Sequence, residues 1–329
     1  MEAMFRWGAL TALAPVAWGA NYYVTHHYLP ADAPLWGAAL RALPAGLLLL
    51  AAARRLPRGA WWWRSAVLGV LNTSAFFVLV YLASQWLPAG TAAMVMALSP
   101  LALTLCAWLL AGERPRAAQL CGGAVGVGGA ALMLAGDAGA VSGTGPVSGA
   151  DGLPGLLASL GALLASSVGY VLAKRWAAPA DGGGAPGVLA STAWQLTLGG
   201  LLLLPVAVLA EGAPPALAGS ALPAFGYTSL VATALAFLVW FTGLRRLPAA
   251  TVGLIGLLNP VTGVLLGTAL DGEPLGPARL GGAALVAAGI LLGRPRPGGA
   301  PQTRPRAGVP AAARAVNGVG NGRWRRPGP

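Results

Sequence analysis

Long apolar stretches alternate with short polar connections along the chain as far as residue 293. A helix needs about 20 mostly apolar residues to cross the hydrocarbon core of a bilayer. Ten stretches approach or exceed that length: 7–25, 35–53, 65–83, 89–110, 118–136, 153–173, 187–209, 220–243, 248–269 and 277–293. All nine Asp and Glu residues lie at or beyond the ends of these stretches. The pattern therefore predicts an all-α membrane protein with ten transmembrane helices.

The composition agrees with a membrane location. Only 9% of the residues are charged and 56% are hydrophobic, whereas a soluble domain carries about 25% charged residues. A soluble chain of this length could not cover its surface with so few charges. The net charge of +12 would indicate a nucleic-acid partner in a soluble protein, but we expect none here, because the basic residues follow the predicted spans.

The basic residues predict the orientation of the spans. If the N-terminus is cytoplasmic, every basic residue except Arg41 and Arg279 falls on the cytoplasmic side, including eight arginines from residue 294 onward. Cytoplasmic loops of membrane proteins carry such an excess of Lys and Arg. We therefore expect a multi-pass protein of the cell (plasma) membrane with both termini in the cytoplasm.

The second half of the chain repeats the first at an offset of 160 residues, with 16 identities over the 48 positions 87–134. The paired landmarks include Leu87 and Pro88 with Leu247 and Pro248, Pro100 with Pro260, and Gly112 and Glu113 with Gly272 and Glu273. Five spans in each half place the halves in opposite orientations. The sequence therefore predicts two inverted five-helix repeats, 1–136 and 152–293.

Two segments do not belong to the predicted bundle. Residues 137–151 are rich in Gly and Ser and read as a flexible linker. Residues 294–329 are rich in Pro, Gly and Arg without periodic apolar positions, which predicts a disordered cytoplasmic tail. We expect this tail to lie near anionic lipid headgroups.

The chain resembles the EamA family of the drug/metabolite transporter superfamily over residues 7–293. The resemblance rests on the run from Trp18 to Asn21 and on Arg41. It also rests on a pattern that occurs twice in the chain: a proline, then a Gly-Glu pair, then two further glycines. It implies ten helices, a central cavity between the halves, and transport of small metabolites by alternating access. It does not identify the substrate, because members carry amino acids, nucleotide-related compounds, drugs and other metabolites.

Polar and aromatic residues within the spans are candidates for lining the transport path. Arg41 lies well inside the second span, where it contacts substrate in the cavity, holds a helix contact, or bends back to the outer headgroups. Asn21 shares a helix face with Trp18, and either binds substrate or bonds a neighbouring helix. The aromatic candidates either bind substrate or pack against neighbouring helices. The full candidate set is Trp18, Asn21, Arg41, Phe77, Tyr81, Tyr170, Gln195, Phe237, Trp240 and Asn259.

Four further residues are hinge or gate candidates. Pro100 and Pro260 fall about halfway along the fourth and ninth spans, where a proline frees a carbonyl and permits bending. Glu113 and Glu273 follow those spans at opposite membrane faces. They either cap and close loops or form gating ion pairs.

The sequence favours a non-enzymatic permease that moves a small polar or amphipathic metabolite by alternating access; an outward direction is implied by the family resemblance alone. It has no phosphate-binding GxxxxGK[ST] loop, no metal-ligand cluster and no plausible Ser/His/Asp set, so no cofactor, metal or catalytic residue is expected. A lipid or lipid-linked-intermediate flippase and a non-transporting scaffold or sensor are the alternatives. The coupling ion, the direction of transport and the oligomeric state, a homodimer included, stay open.

Overall fold

The computed structural model describes residues 2–29, 32–87, 95–138, 152–177, 185–216, 219, 221–270, 272 and 275–294. All regular secondary structure in these residues is helical. Residues 295–329 of the predicted tail lie outside the described part. So does the predicted linker, except for its first two residues, which end a helix.

The first half of the described chain forms α1 (Glu2–Tyr28), α2 (Pro34–Ala53), α3 (Trp61–Gly69), α4 (Ala75–Trp86), α5 (Ser99–Ala111) and α6 (Ala117–Ala138). The second half forms α7 (Gly152–Trp176), α8 (Val188–Glu211), α9 (Ala221–Ser229), α10 (Ala236–Arg246), α11 (Ala249–Gly256), α12 (Leu258–Leu270) and α13 (Pro277–Leu292). A first π-bulge (Val70–Ser74) joins α3 to α4, and a second π-bulge (Leu230–Leu235) joins α9 to α10.

Seven helical segments of the described chain are long and apolar enough to cross a membrane: Pro34–Ala53, Trp61–Ala83, Ala117–Leu134, Leu153–Trp176, Val188–Glu211, Ala221–Arg246 and Ala249–Leu270. Ser99–Ala111 and Pro277–Leu292 are apolar but shorter. Helix lies within every one of the ten predicted stretches. The all-helical, multi-span character of the described chain is thus confirmed, whereas the count of ten spans stays a prediction.

The outward faces of these helices are apolar. Leu209 is 87% exposed and Leu109 is 69% exposed, and many other leucines on α2, α7 and α8 also face outward. Apolar surface on this scale is unfavourable in water. A lipid environment accounts for it, because acyl chains solvate leucine without cost.

Glycines bring two helix pairs into close contact. On α6, a Cβ added to Gly122 or Gly129 would lie 2.5–2.6 Å from a carbonyl oxygen of α13. Gly122 meets Gly289 and Gly129 meets Gly282, so the two helices run antiparallel. In the same way Gly46 of α2 faces Thr197 of α8, while Leu43 faces Gly200. Small residues allow membrane helices to approach closely.

The helix contacts of the two halves correspond at the offset of the sequence repeat. Helix α1 packs on α10 and α12, and its counterpart α7 packs on α4 and α5. The segment α3 with the first π-bulge packs on α8, as α9 with the second π-bulge packs on α2. The pairs α2–α8 and α6–α13 join counterparts directly.

Both π-bulges occupy corresponding positions, since residues 70–74 become 230–234 after addition of 160. π-Helix accounts for well under 1% of residues in globular proteins and occurs often at functional sites. Two π-bulges at equivalent positions of the sequence repeat therefore belong to the shared structure of the two halves.

The two prolines begin helices and do not lie within continuous ones. Pro100 occupies the first turn of α5, directly after a break at Leu98. Pro260 lies in the first turn of α12, just after α11 ends at Gly256. Pro260 still lies about halfway along the apolar segment Ala249–Leu270, as the sequence predicts. The break before each proline places its missing N–H where no intrahelical acceptor is needed, and the hinge role of both stays a prediction.

Candidate functional site

Arg41 points into the helix bundle and binds the second π-bulge. Its Nε donates to Thr233 Oγ1 at 3.0 Å, and a terminal guanidinium nitrogen donates to the Ala232 carbonyl at 3.4 Å. The guanidinium also lies 5.0 Å from the ring centroid of Phe77, on α4. Thr233 is near the middle of the segment Ala221–Arg246. The cation is thus held deep in the bundle, between elements from the two halves of the chain.

The π-bulge explains why this carbonyl is available. A π-turn shifts the backbone bonding from i−4 to i−5, which leaves carbonyls for other donors. The Ala232 carbonyl also accepts a bond from Trp18 Nε1 at 2.9 Å. Thr233 Oγ1 in turn donates to the Thr228 carbonyl, five residues earlier, at 2.7 Å. Arg41 and Trp18 therefore converge on one turn of backbone.

An aromatic cluster adjoins this convergence. Trp18 of α1 lies 5.1 Å from Trp240 and 5.5 Å from Phe237, both on α10, measured between ring centroids. Tyr170 of α7 lies 5.6 Å from Trp240 and 5.8 Å from Phe241. We call Trp18, Tyr170, Phe237, Trp240 and Phe241 the central aromatic cluster. Four of its members are candidates from the sequence, brought together here from three helices.

Several buried polar atoms near the centre have no hydrogen-bond partner among the described residues. They include the indole Nε1 of Trp240 and the side-chain oxygens of Asn21 and Asn259. Asn21 Nδ2 donates to Thr25 on its own helix at 3.3 Å. The backbone of Asn259 lies against Gly19 of α1. Buried unpaired groups are costly, so a solute that bonds to them would gain affinity.

Two of the sequence candidates lie elsewhere. Gln195 is only 2% exposed and accepts a bond from Asn72 Nδ2 of the first π-bulge at 2.9 Å. Tyr81 packs beside the start of α2, near Trp36 and Ala207. These two side chains contribute to helix packing at their own locations and do not belong to the central aromatic cluster.

One end of the bundle is tied together around Glu113. Its Oε1 lies 2.6 Å from Lys174 Nζ, at the end of α7, and its Oε2 accepts the Ala249 N–H at the start of α11 at 3.0 Å. Lys174 also donates to the Leu247 carbonyl at 2.8 Å. We call this end of the molecule the closed end. Glu113 thus caps a helix and forms an ion pair with Lys174, and its role as a gate stays a prediction.

Further bonds reinforce the closed end. Arg245 donates to the Pro186 carbonyl and to Ser191 Oγ, both at 2.8 Å, and Arg175 donates to the Leu110 carbonyl at 2.8 Å. The crevice above them has a volume of only about 10 Å³. The corresponding candidate in the second half, Glu273, lies outside the described residues.

At the other end, Glu211 caps α2. Its two carboxylate oxygens accept the N–H groups of Leu35 and Trp36 at 2.8 and 2.9 Å. Trp36 Nε1 donates to the Gly212 carbonyl at 3.1 Å. A carboxylate suits the positive end of a helix dipole. Its position after an apolar stretch was visible in the sequence, but its partner was not.

Sequence reasoning also missed Lys174 as a contact residue. Lys174 is the chain's only lysine, and this was the one feature of the sequence that could have singled it out as a functional residue. Apart from Thr233, no residue pattern in the sequence indicated the second π-bulge, because the backbone geometry of a π-bulge depends on helix packing. Among the described residues, no three His, Cys, Asp or Glu side chains come together as a metal site.

A separate apolar cavity of about 270 Å³ lies between α1 and the second π-bulge. It is lined by Val16, Ala20, Tyr227, Val231 and Val239, among others. Within this lining, the Tyr227 hydroxyl donates to the Ala17 carbonyl at 3.1 Å. The lining offers no charge to a solute.

Comparison with known proteins places this geometry in a family. The sequence profile of the EamA-like transporter family matches residues 6–135 and 153–293. Protein PecM of Dickeya dadantii is 35% identical over 279 residues, which cover 85% of this chain and 89% of that protein. The uncharacterized inner membrane transporter YedA of Escherichia coli (strain K12) is 31% identical, over 82% of this chain and 83% of that protein.

Two further comparisons agree. The probable terminal-alkyne amino-acid exporter of Streptantibioticus cattleyicolor is 29% identical over 69% of this chain and 71% of that protein. A solved crystal structure, 22% identical, shares the fold over 89% of this chain and 96% of its own, with a TM-score of 0.74. The resemblance noted in the sequence is confirmed: the chain belongs to the EamA-like transporter family and is a membrane transporter of small solutes.

Proposed function

We propose that this transporter works by alternating access between two inverted five-helix repeats, residues 1–136 and 152–293. The antiparallel contacts of α2 with α8 and of α6 with α13 support this proposal. A twofold axis in the membrane plane reverses every helix that it relates, so counterparts that meet at the axis must be antiparallel. The two family matches, 6–135 and 153–293, agree with the division.

The closed end is the cytoplasmic end in this proposal. Arg175, Arg245 and the loop that holds Glu113 all belong to the cytoplasmic set under the positive-inside rule. The ion pair of Glu113 with Lys174 then acts as the cytoplasmic gate. Opening requires separation of α5 from α7, and the breaks before Pro100 and Pro260 are the proposed hinges.

The proposed substrate is a small metabolite with an anionic group and an apolar or aromatic body. A guanidinium is suited to bidentate recognition of a carboxylate or phosphate, and aromatic faces bind an apolar body. Arg41 beside the central aromatic cluster is the observation that carries this assignment. Export is the proposed direction, since one relative is named as an exporter.

The test compares metabolites released by cells that lack the protein with those from cells that overproduce it. Overproduction should raise the extracellular level of the substrate, and Arg41→Ala should strongly reduce the rise. Loss of a charged hydrogen-bond partner costs about 1.5–3 kcal/mol, which corresponds to a drop of about tenfold or more. Arg58→Ala, in an exposed loop, is the control and should transport normally. Equal release by wild type and Arg41→Ala would exclude Arg41 as the substrate cation.

The flippase and the scaffold are not favoured, because the relatives are named as transporters and an exporter of solutes. Removal of residues 295–329 separates the scaffold from the transporter. Transport should survive this deletion, whereas a scaffold that acts through the tail would fail.

A further inference from the structure

The crevice at the closed end has a lining unlike that of the apolar cavity. Its polar members are Lys174, Ser191, Gln195 and Arg245, and its aromatic members are Trp61 and Phe241. With a volume of about 10 Å³, it has room for about one water molecule. A solute enters only if the walls separate.

The electrostatics of the crevice favour an anion. Among the described residues that line it, two are cations and none is a carboxylate. The Arg245 guanidinium is bonded to neutral acceptors, a carbonyl and a hydroxyl. The Lys174 charge is balanced by Glu113, which approaches from outside the lining. If Glu113 moves away from Lys174, the described lining of the crevice holds two cations and no carboxylate.

The crevice adjoins the central aromatic cluster. Phe241 belongs to both, and it lies 5.9 Å from Phe237 between ring centroids. Gln195, which also lines the crevice, is held by Asn72 of the first π-bulge. An anion bound at Lys174 would therefore lie close to Phe241 and to the cluster beside Arg41.

We propose that this crevice is a cytoplasmic docking site for the anionic group of the substrate. In this exchange, a carboxylate or phosphate of the substrate replaces Glu113 as the ion-pair partner of Lys174. The exchange keeps both partners satisfied: the anion balances Lys174, while Glu113 retains the Ala249 N–H. A neutral solute offers Lys174 no such replacement, so the gate opens for anions. This inference rests on the proposed transport function and adds to it a first binding step.

Binding of phenylacetate to the purified full-length protein in detergent tests the exchange. Phenylacetate supplies a carboxylate for Lys174 and a ring for Phe241, and phenylacetamide is the neutral control. Titration calorimetry is performed in wild type and in an Arg41→Gln background, so that the central cation cannot account for the signal. We expect binding of the acid in both backgrounds and no binding of the amide.

Variants of the two ion-pair partners should act in opposite directions. Glu113→Gln removes the competitor and should lower the Kd of phenylacetate about fivefold, the equivalent of one partly exposed ion pair. Lys174→Gln and Arg245→Gln should raise the Kd at least about tenfold. Arg175→Gln is the matched control, because this neighbouring arginine bonds to Leu110 and does not line the crevice; its Kd should not change.

A merely structural ion pair predicts that Glu113→Gln and Lys174→Gln weaken binding alike, and that outcome would overturn the inference. So would equal binding of acid and amide, or no binding of phenylacetate to any variant. The measurement needs no turnover. A failure here therefore leaves the transport proposal intact, whereas loss of transport with normal anion binding would concern Arg41 and the alternating cycle.

Discussion

At the scale of single residues, the hydroxyl of Thr233 helps to position Arg41. Thr233 Oγ1 accepts from the guanidinium and donates to the Thr228 carbonyl, so it fixes the cation to the second π-bulge. Thr73 holds the corresponding position in the first π-bulge, but its buried hydroxyl has no partner among the described residues. The two threonines can therefore be compared within one protein: the Thr233 hydroxyl bonds to Arg41, whereas the Thr73 hydroxyl has no hydrogen bond among the described residues.

Thr233→Val should reduce transport about tenfold or more, because it removes a hydrogen bond to a charged group, worth about 1.5–3 kcal/mol, without a large change in volume. Thr73→Val should leave transport unchanged and hold or raise the melting temperature, since it removes an unpaired polar atom. Efflux assays and thermal denaturation of the purified variants provide the measurements. Equal effects of the two substitutions would show that the bond to Arg41 is irrelevant.

At the scale of helices, close packing and the gate depend on different chemistry. The contact of α6 with α13 requires glycine, since a Cβ at Gly129 would lie 2.6 Å from the Gly282 carbonyl. The proposed gate pairs complementary charges between Lys174 of α7 and Glu113, just after α5, whose side chains are 20% and 29% exposed. The first contact holds two counterpart helices together, whereas the second would break and re-form in the proposed cycle.

Gly129→Ala should lower the melting temperature, because the added methyl group meets backbone atoms that cannot yield. Gly128→Ala is the control on the same helix: apart from the local backbone of α6 itself, no described atom lies within 4 Å of its added Cβ. There the gain in helix propensity, about 0.5–1 kcal/mol, should leave the melting temperature equal or slightly higher. The packing argument fails if both variants melt alike.

The gate is tested by charge reversal. Glu113→Lys and Lys174→Glu alone place like charges together and should each reduce transport several-fold, since a partly exposed pair contributes about 1 kcal/mol or less. The double variant restores opposite charges and should recover much of the lost efflux. Recovery is incomplete, because the reversed pair cannot cap Ala249. A double variant no better than the single ones argues against a direct pair.

At the scale of the whole molecule, the proposed inversion predicts the side on which counterpart loops lie. Trp86 and Arg246 differ by the repeat offset, and both are exposed. After replacement of Cys106 and Cys121, an impermeant maleimide should label Trp86→Cys in intact cells. It should label Arg246→Cys only after the cells are permeabilised. Labelling of both from the same side contradicts the inverted repeats.

The sequence by itself determined the class of the protein, its apolar segments and its family. These properties are local: hydropathy and span length can be counted along the chain, and a bilayer imposes that length on each helix separately. The repeat could also be found from the sequence alone, because its paired Pro and Gly-Glu landmarks are visible when the chain is compared with itself. For the same reason Trp18, Arg41, Phe237 and Trp240 could be selected as polar or aromatic residues within apolar spans.

Only the tertiary structure decided which of these residues meet. Arg41 finds its acceptor 192 residues away, and Glu113 pairs with Lys174 on another helix. Gln195, an equally plausible candidate, turns instead to Asn72. The π-bulges and the helix breaks before Pro100 and Pro260 likewise arise from the fit between helices. A partner stabilises a polar group inside a membrane bundle, and the partner available is fixed by the packing of distant segments, which no local pattern encodes.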